Sequence, residues 1–237
     1  MNIKAELHCH TNFSDGSVSP AQCIQAAAQK GIHILAITDH NTAEGALHYW
    51  QKSVEHGVLV IPGEEVSTDR GHLLVYFVKE TILPDKFEND IEQVKQQDAL
   101  CFIAHPYHIP LLNSIRKKNT FRLENSHYEM INGIEVENGH NRSSANQLAI
   151  KLAGEHHLNM IAGSDAHFAF EIGNALTLMD IEEITLESVR EAMKLGKTQP
   201  LARKFNEYPV YLFVGLLNKL SRKQYSFVNH QKKGFQR

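Results

Sequence analysis

Histidines and carboxylates recur along the first two thirds of this chain at the ends of apolar runs. His8 and His10 flank Cys9 behind residues 1–7, which read as a strand. Side chains on a strand alternate, so both imidazoles share one face and Cys9 takes the other. Asp15 follows in Ser14-Asp15-Gly16-Ser17, and residues 32–37 run into Thr38-Asp39-His40. Later apolar runs lead to Glu65, to His105 and to the pair Asp165 and His167; Glu135 is a weaker case, and His72 opens a run of its own. Imidazole nitrogens and carboxylate oxygens are the donors that borderline divalent metals take. One His-x-His alone is as readily two surface histidines. Recurrence at the end of run after run turns the pattern into a candidate metal set.

The elements that must carry these groups follow from punctuation and periodicity. Ser19-Pro20 reads as an N-cap with proline at the first helical position, opening a helix that stops near Gly31. Strands are expected at 32–38, 58–61, 72–78, 99–104, 133–136, 159–162 and, as the last one, 175–179. Helices are expected over 42–56 with Gly57 as terminator, from Pro84-Asp85 to about 98, over 143–153 with a stop at Gly154, and from Thr185 to 195 before Gly196. Residues 107–130 read as a loop with short helices. Strand and helix alternate about seven times, which implies a largely parallel sheet, closed as a barrel or open and doubly wound. A barrel is expected. Ligands from the first and seventh strands must meet, and an open sheet holds them apart by about 4.8 Å per strand. In either case chemistry belongs at the C-terminal strand ends. Residues 1–200 form the expected domain. Residues 201–237 form a C-terminal helix, over 208–220, and a basic tail that packs on the barrel or contacts a partner or membrane surface.

Composition closes several doors. The formal net charge of −3 offers no general attraction for nucleic acid or membrane. No apolar run reaches the length of a membrane span. The start is too polar for a signal peptide, and three cysteines without C-x-x-C spacing suggest reduced thiols, hence a cytoplasmic protein. The 15 histidines exceed what packing alone asks for. No G-x-S-x-G elbow, Walker loop or G-x-G-x-x-G is present.

Taken together, His8-Cys9-His10, Ser14-Asp15-Gly16, Thr38-Asp39-His40, Gly63-Glu64-Glu65-Val66-Ser67, His105-Pro106 and Gly163-Ser164-Asp165-Ala166-His167 resemble the PHP (polymerase and histidinol phosphatase) family over residues 6 to about 175. The resemblance implies a distorted (β/α)7 barrel of TIM-like kind, with two or three divalent ions (Zn, Mn or Fe) at the C-terminal strand ends. It implies that His8, His10, Glu65 and Asp165 hold one ion, that Glu65 bridges to a second held by His105 and His72, and that Asp15, His40 and His167 hold a third. It further implies hydrolysis of a small phosphorylated metabolite by a metal-bridged hydroxide, with Asp165 or His167 moving protons. Some relatives carry a histidine where Asp15 stands. Asp39 is expected to orient a ligand imidazole, and Glu135 to support the site from its strand. Arg142, His108 and Asn138, with His140, are expected to face the substrate, Arg142 as the phosphate contact. Cys9 should pack beside the site, and His156-His157 should lie on the surface.

The G-E-x-S-type third motif and the short chain point to a nucleotide or similar phosphomonoester. Histidinol phosphate is the alternative substrate, and a non-catalytic metal-binding module the alternative role. Hydrolysis of C–N or C–O bonds by a related barrel is disfavoured by Glu65 in the bridging position. The partner expected is thus a small-molecule phosphoester, with no stable nucleic-acid complex.

Overall fold

The structure, a computed structural model, describes residues 3–50, 56–108 and 123–201. Nine strands form one sheet in the order β7-β6-β5-β4-β3-β2-β1-β8-β9. In chain order the elements are β1 (Ile3–Glu6), α1 (Pro20–Gln29), β2 (Ile34–Ile37), α2 (Glu44–Tyr49), β3 (Leu59–Thr68), β4 (Gly71–Tyr76), α3 (Phe87–Gln96), β5 (Leu100–Ile103), α4 (Asn125–Tyr128), β6 (Gly133–Asn138), α5 (Ser143–Glu155), β7 (Asn159–Gly163), β8 (Leu176–Met179), α6 (Leu186–Lys194) and β9 (Thr198–Leu201). The expected barrel-like α/β fold is present, with nine strands among the described residues rather than seven.

The sheet is mixed, which corrects the expectation of a largely parallel one. β1–β2, β2–β3, β5–β6 and β6–β7 pair parallel. β3–β4, β4–β5, β1–β8 and β8–β9 pair antiparallel. The reason lies at Asp69-Arg70. β3 does not end at residue 61 but runs on through Pro62-Gly63 to Thr68, then turns directly into β4. Gly63 permits this: a Cβ there would meet the Val75 carbonyl oxygen at 2.7 Å. The sheet also gains β9 after the strand expected to be last, and Gly154 sits inside α5 without ending it. Ser19 caps α1 and Thr185 caps α6, each in a capping box.

Alternation assigns the two faces. Ile34 and Ala36 join the inner cluster with Ile61, Leu74, Tyr76, Phe102 and Ile161, whereas Leu35 and Ile37 pack outward with Cys23, Ile24 and Ala27 of α1. Val189 and Met193 of α6 belong to the inner cluster, so α6 closes one end. In β1 the ladder stops at Glu6 and pairing resumes as a parallel bridge from Cys9 to Ala166. Ile3, Ala5 and Leu7 pack in the inner cluster, and Cys9 lies in the outer one. The alternation of residues 3–7 is therefore broken between Leu7 and Cys9, and His8 and His10 lie at the mouth of the barrel after the break.

That bridge draws the β1 and β7 sides together. The His10 amide donates to the Ala166 carbonyl at 2.8 Å. Beside it, buried Glu6 accepts amides from His8 (3.1 Å), Ser164 (2.8 Å) and Gly173 (2.8 Å), and the Ser164 hydroxyl. A β8 side chain completes the link: Thr177 Oγ1 accepts from the Ala162 amide and donates to its carbonyl. Calls on residues 51–55 and 109–122, and on the C-terminal helix and tail, lie outside the described residues.

Candidate metal centre

Strand ends deliver the candidate ligands. His8 and His10 follow β1, Asp15 lies in the loop after them, His40 follows β2, Glu65 sits within β3, His105 follows β5, and Asp165 and His167 follow β7. His72 opens β4; because β4 runs antiparallel, its start lies where the parallel strands end. His105 (φ 23°) and Asp165 (φ 56°) both occupy left-handed backbone. Such non-glycine conformations cost on the order of 1–3 kcal/mol and persist where surrounding contacts over-determine them.

The predicted set converges. Glu65 Oε1 lies 2.8 Å from His72 Nδ1 and 2.9 Å from His105 Nε2. Its Oε2 lies 3.1 Å from His40 Nδ1, 3.3 Å from His10 Nε2 and 3.4 Å from His8 Nε2. Asp165 Oδ1 is 3.2 Å from His10 Nε2 and 3.5 Å from His8 Nε2. Asp15 Oδ1 is 3.2 Å from His167 Nε2 and 3.7 Å from His10 Nδ1, and Asp15 Oδ2 is 3.8 Å from His40 Nε2. Four overlapping groups result: His8–His10–Asp165, His8–Glu65–His105, His40–Glu65–His72 and His10–Asp15–His40–His167.

These spacings suit metal ions. Two donors bonded at about 2.1 Å to one ion stand about 3.0 Å apart at a right angle and about 3.4 Å apart at a tetrahedral one. Most of the separations around Glu65 and Asp165 fall near that interval. His10 Nδ1 is buried without a hydrogen-bond partner and faces the Asp15 group.

Electrostatics fit the same picture. Burial raises the Glu65 carboxyl, but the facing His8, His40, His10 and His105 rings outweigh it and hold it well below the carboxylate range. Asp165 is held low in the same way, against burial, by His8 and His10. Burial disfavours a charged His10, yet Asp165 and Glu65 raise it to about 10. Burial lowers His40 to about 4. The proton on His10 is what a bound cation would displace, whereas His40 is already neutral near pH 7.

Supporting contacts correct several expectations. Glu135 is buried; its Oε1 lies 2.9 Å from His8 Nδ1, which turns His8 Nε2 toward Glu65 and Asp165. Its Oε2 accepts the His105 amide (2.9 Å) and Asn138 Nδ2 (3.0 Å). Asp39 touches no imidazole in this role. It accepts from the Thr11 amide and hydroxyl and from the Ser14 hydroxyl at 2.6–2.7 Å, and so shapes the loop that carries Asp15. Asn138, expected at the substrate face, is buried within the cluster, and Nδ2 also reaches Asp165 Oδ2 at 3.3 Å. His108 lies beside the centre, its ring centroid 5.2 Å from that of His105 and its Nδ1 2.9 Å from Asn141 Oδ1; burial lowers it to about 4. Arg142 is exposed at the N-cap of α5, outside the four groups. His157 is exposed, and half-buried His156 stacks on Tyr128. Cys9 is buried and free.

Sequence reasoning missed Glu6 and Glu171. Glu171 Oε2 accepts the amides of His167 (2.7 Å) and Phe168 (3.1 Å) and fixes the turn that presents His167. Its four-residue offset from His167 was the available signal.

Comparison with known proteins gives a consistent pattern. A family model described as PHP domain matches residues 6–198. An uncharacterised protein of Methanocaldococcus jannaschii is 31% identical over 201 residues, which is 82% of this chain and 79% of that protein. A 5'-3' exoribonuclease of Haemophilus influenzae is 38% identical over 69 residues, 29% of this chain and 25% of the enzyme. Among solved structures, a two-domain protein from Bacteroides vulgatus containing a predicted PHP-like metal-dependent phosphoesterase superposes with a TM-score of 0.70 at 23% identity. That match covers 86% of this chain, which spans 65% of that protein's length.

Proposed function

The chain belongs to the PHP domain family, and from that premise we propose that it is a metal-dependent phosphoesterase that hydrolyses a phosphate monoester of a small metabolite, a nucleotide in first place. The observation that carries the reading is Glu65. One buried carboxylate meets His72 and His105 through one oxygen and His8, His10 and His40 through the other. A carboxylate so placed would serve as a ligand shared by neighbouring divalent ions. Mixed imidazole and carboxylate donors suit Zn, Mn or Fe(II).

His8, His10, Glu65 and Asp165 would hold one ion, Glu65, His72 and His105 a second, and Asp15, His40 and His167 a third. When bound, such ions polarise phosphoryl oxygens and lower the pKa of water toward about 7. The chain does the rest. Glu135 and Glu6 hold His8 and the β7 end in place. Of the two groups proposed to move protons, Asp165 is held ionised by its histidine neighbours, so it acts as an acceptor only. His167, half-buried at the rim, is the better placed to give a proton to the leaving oxygen. His108 Nδ1 is engaged by Asn141, which leaves Nε2 for substrate, and Arg142 at the rim is the proposed phosphate contact.

A nucleotide is favoured over histidinol phosphate by the rim aromatics. Phe13 and Phe170 are 41% and 51% exposed. Phe168 and Phe170 stack with centroids 5.4 Å apart directly after His167. The two loops are tied, since the Ser17 amide and hydroxyl both donate to the His167 carbonyl at 2.8 Å. Stacking of a base on an aromatic ring is worth about 1–3 kcal/mol, and a purine offers more face than an imidazole. The relative named an exoribonuclease raises the end of a polynucleotide as a substrate; the net charge of −3 speaks against a stable nucleic-acid complex. Among the described residues no helix is long and apolar enough to cross a membrane. Three free, buried cysteines suit the reducing cytoplasm we propose as its compartment.

The test is phosphate release from nucleoside monophosphates, sugar phosphates, histidinol phosphate and a short oligonucleotide, each with Mn or Zn. Release from monophosphates is expected. Release no greater than that of the His8→Ala variant, across the whole panel, would overturn the enzyme and leave a metal-binding module.

A further inference from the structure

We propose that His140, Glu171 and His167 form an additional seat for a borderline divalent cation, zinc or iron(II), on the outer side of the centre. His140 Nε2 and Glu171 Oε1 lie 3.4 Å apart and make no hydrogen bond to one another. That separation is what two donors show when each is bonded at about 2.1 Å to one tetrahedral ion. A ring nitrogen of His167 completes the set, all three donor atoms lying within 4.8 Å of one another.

Glu171 is the second observation. Its side chain is wholly buried, and Oε1 has no hydrogen-bond partner. Its Oε2 is committed to the His167 and Phe168 amides, so the carboxylate cannot turn away to satisfy the other oxygen. A buried carboxylate oxygen that receives no hydrogen bond is costly; a protonated His140 would pair with it at 3.4 Å, and a cation held between the two would satisfy both. His140 is equally set: its amide donates to Asn138 Oδ1 at 2.9 Å, and its ring lies 5.5 Å from that of His167 at a 20° interplanar angle. Two imidazoles and one carboxylate, with coordination positions left over, form a recurrent donor set for zinc and non-haem iron. The seat needs only these three side chains and does not rest on phosphoester hydrolysis. It shares His167 with the Asp15 group, so ions in the two places compete for that ring.

The experiment is anomalous diffraction at the zinc edge on crystals of the full chain soaked to saturation in zinc, for wild type, His140→Gln and Glu171→Gln. A peak between His140 Nε2 and Glu171 Oε1 is expected in wild type and in neither variant, while peaks at the His8–His10–Asp165 group persist in all three. Zinc per chain, counted in solution, should fall by about one in His140→Gln. Inner peaks with nothing at the seat overturn the seat alone; a seat peak that survives His140→Gln overturns it too. No peaks anywhere overturn the seat and the metal reading together. Should Glu171→Gln not fold, His140→Gln, altering a half-buried ring outside the core, decides the matter.

Discussion

Replacing Glu135 with glutamine changes one oxygen to an amide NH2, and the structure leaves that group no satisfactory orientation. Glu135 accepts three hydrogen bonds, from the His8 ring through Oε1 and from the His105 amide and Asn138 Nδ2 through Oε2. If the glutamine oxygen takes the His105 side, its NH2 points at His8 Nδ1. The ring must then accept there and carry its proton on Nε2, the nitrogen that faces Glu65 and Asp165. If the oxygen takes the His8 side, NH2 opposes the His105 amide and Asn138 Nδ2. Asn138 cannot turn over to help, because its Oδ1 already accepts the His140 amide. The first orientation keeps its donors paired but protonates the nitrogen that would take an ion; the second leaves buried donors unpaired, at about 1–3 kcal/mol. Loss of a carboxylate behind a ligand histidine costs roughly 10–100-fold in metal affinity, or about 1.4–2.7 kcal/mol, the same range from a different class of measurement. Chelator competition with metal counting should therefore show the most tightly held ion weakened 10–100-fold. The far-ultraviolet circular dichroism of the variant should match wild type. Affinity within twofold of wild type in a folded variant would refute the role given to Glu135, and with it the inward aim of His8 Nε2.

Asp39→Ala should cost about 1–3 kcal/mol by stranding the Thr11 amide, and should loosen the ion at Asp15 before the inner ones. Graded chelation would show the order, and equal loss from all positions would count against it. Gly163→Ala places a Cβ 2.4 Å from His8 Cβ and 3.0 Å from Glu135 Oε1; a drop of about 1–3 kcal/mol in denaturant stability, with weakened metal binding, is expected. Glu64, on the face of β3 opposite Glu65, is raised by burial from 4.5 to about 8, although its bond from the Ile82 amide pulls it down. Its folded form prefers the proton, so that contribution to stability is complete below about 4.5 and gone above about 8. Glu64→Gln mimics the protonated group and should flatten the fall in Tm between pH 5 and 9; an unchanged slope would remove Glu64 as its source.

The residues that converge on Glu65 were legible in the sequence because each lies close to a strand that the chain marks clearly. The identity of what holds them was not. Asp39 sits beside His40 and reads as its partner, yet it turns to the Thr11–Ser14 loop; adjacency in sequence says nothing about which loop crosses overhead. Asn138 ends β6 and Arg142 follows it, and both were expected to face the substrate. One is buried against Glu135 and the other exposed, a difference set by the parallel neighbour β7 and by the capped start of α5. Glu6 reads as one more polar residue before a histidine, since the amides that satisfy it come from Ser164 and Gly173, far along the chain.

Strand direction carries the deeper point. Pattern alone gives which residues alternate, not which way a neighbour runs, and a parallel βα reading would put the start of β4 at the far end of the barrel from the ligands. His72 could then not meet Glu65. The tight turn at Asp69-Arg70 reverses the chain and pairs Ser67 with His72, two residues beyond Glu65 on the same face of β3. The antiparallel hairpin thus supplies an imidazole from the beginning of a strand to a centre otherwise fed from strand ends, and it places His72 Nδ1 on the same Glu65 oxygen that His105 Nε2 approaches. The departure from an ideal parallel barrel is therefore what completes the second ligand group.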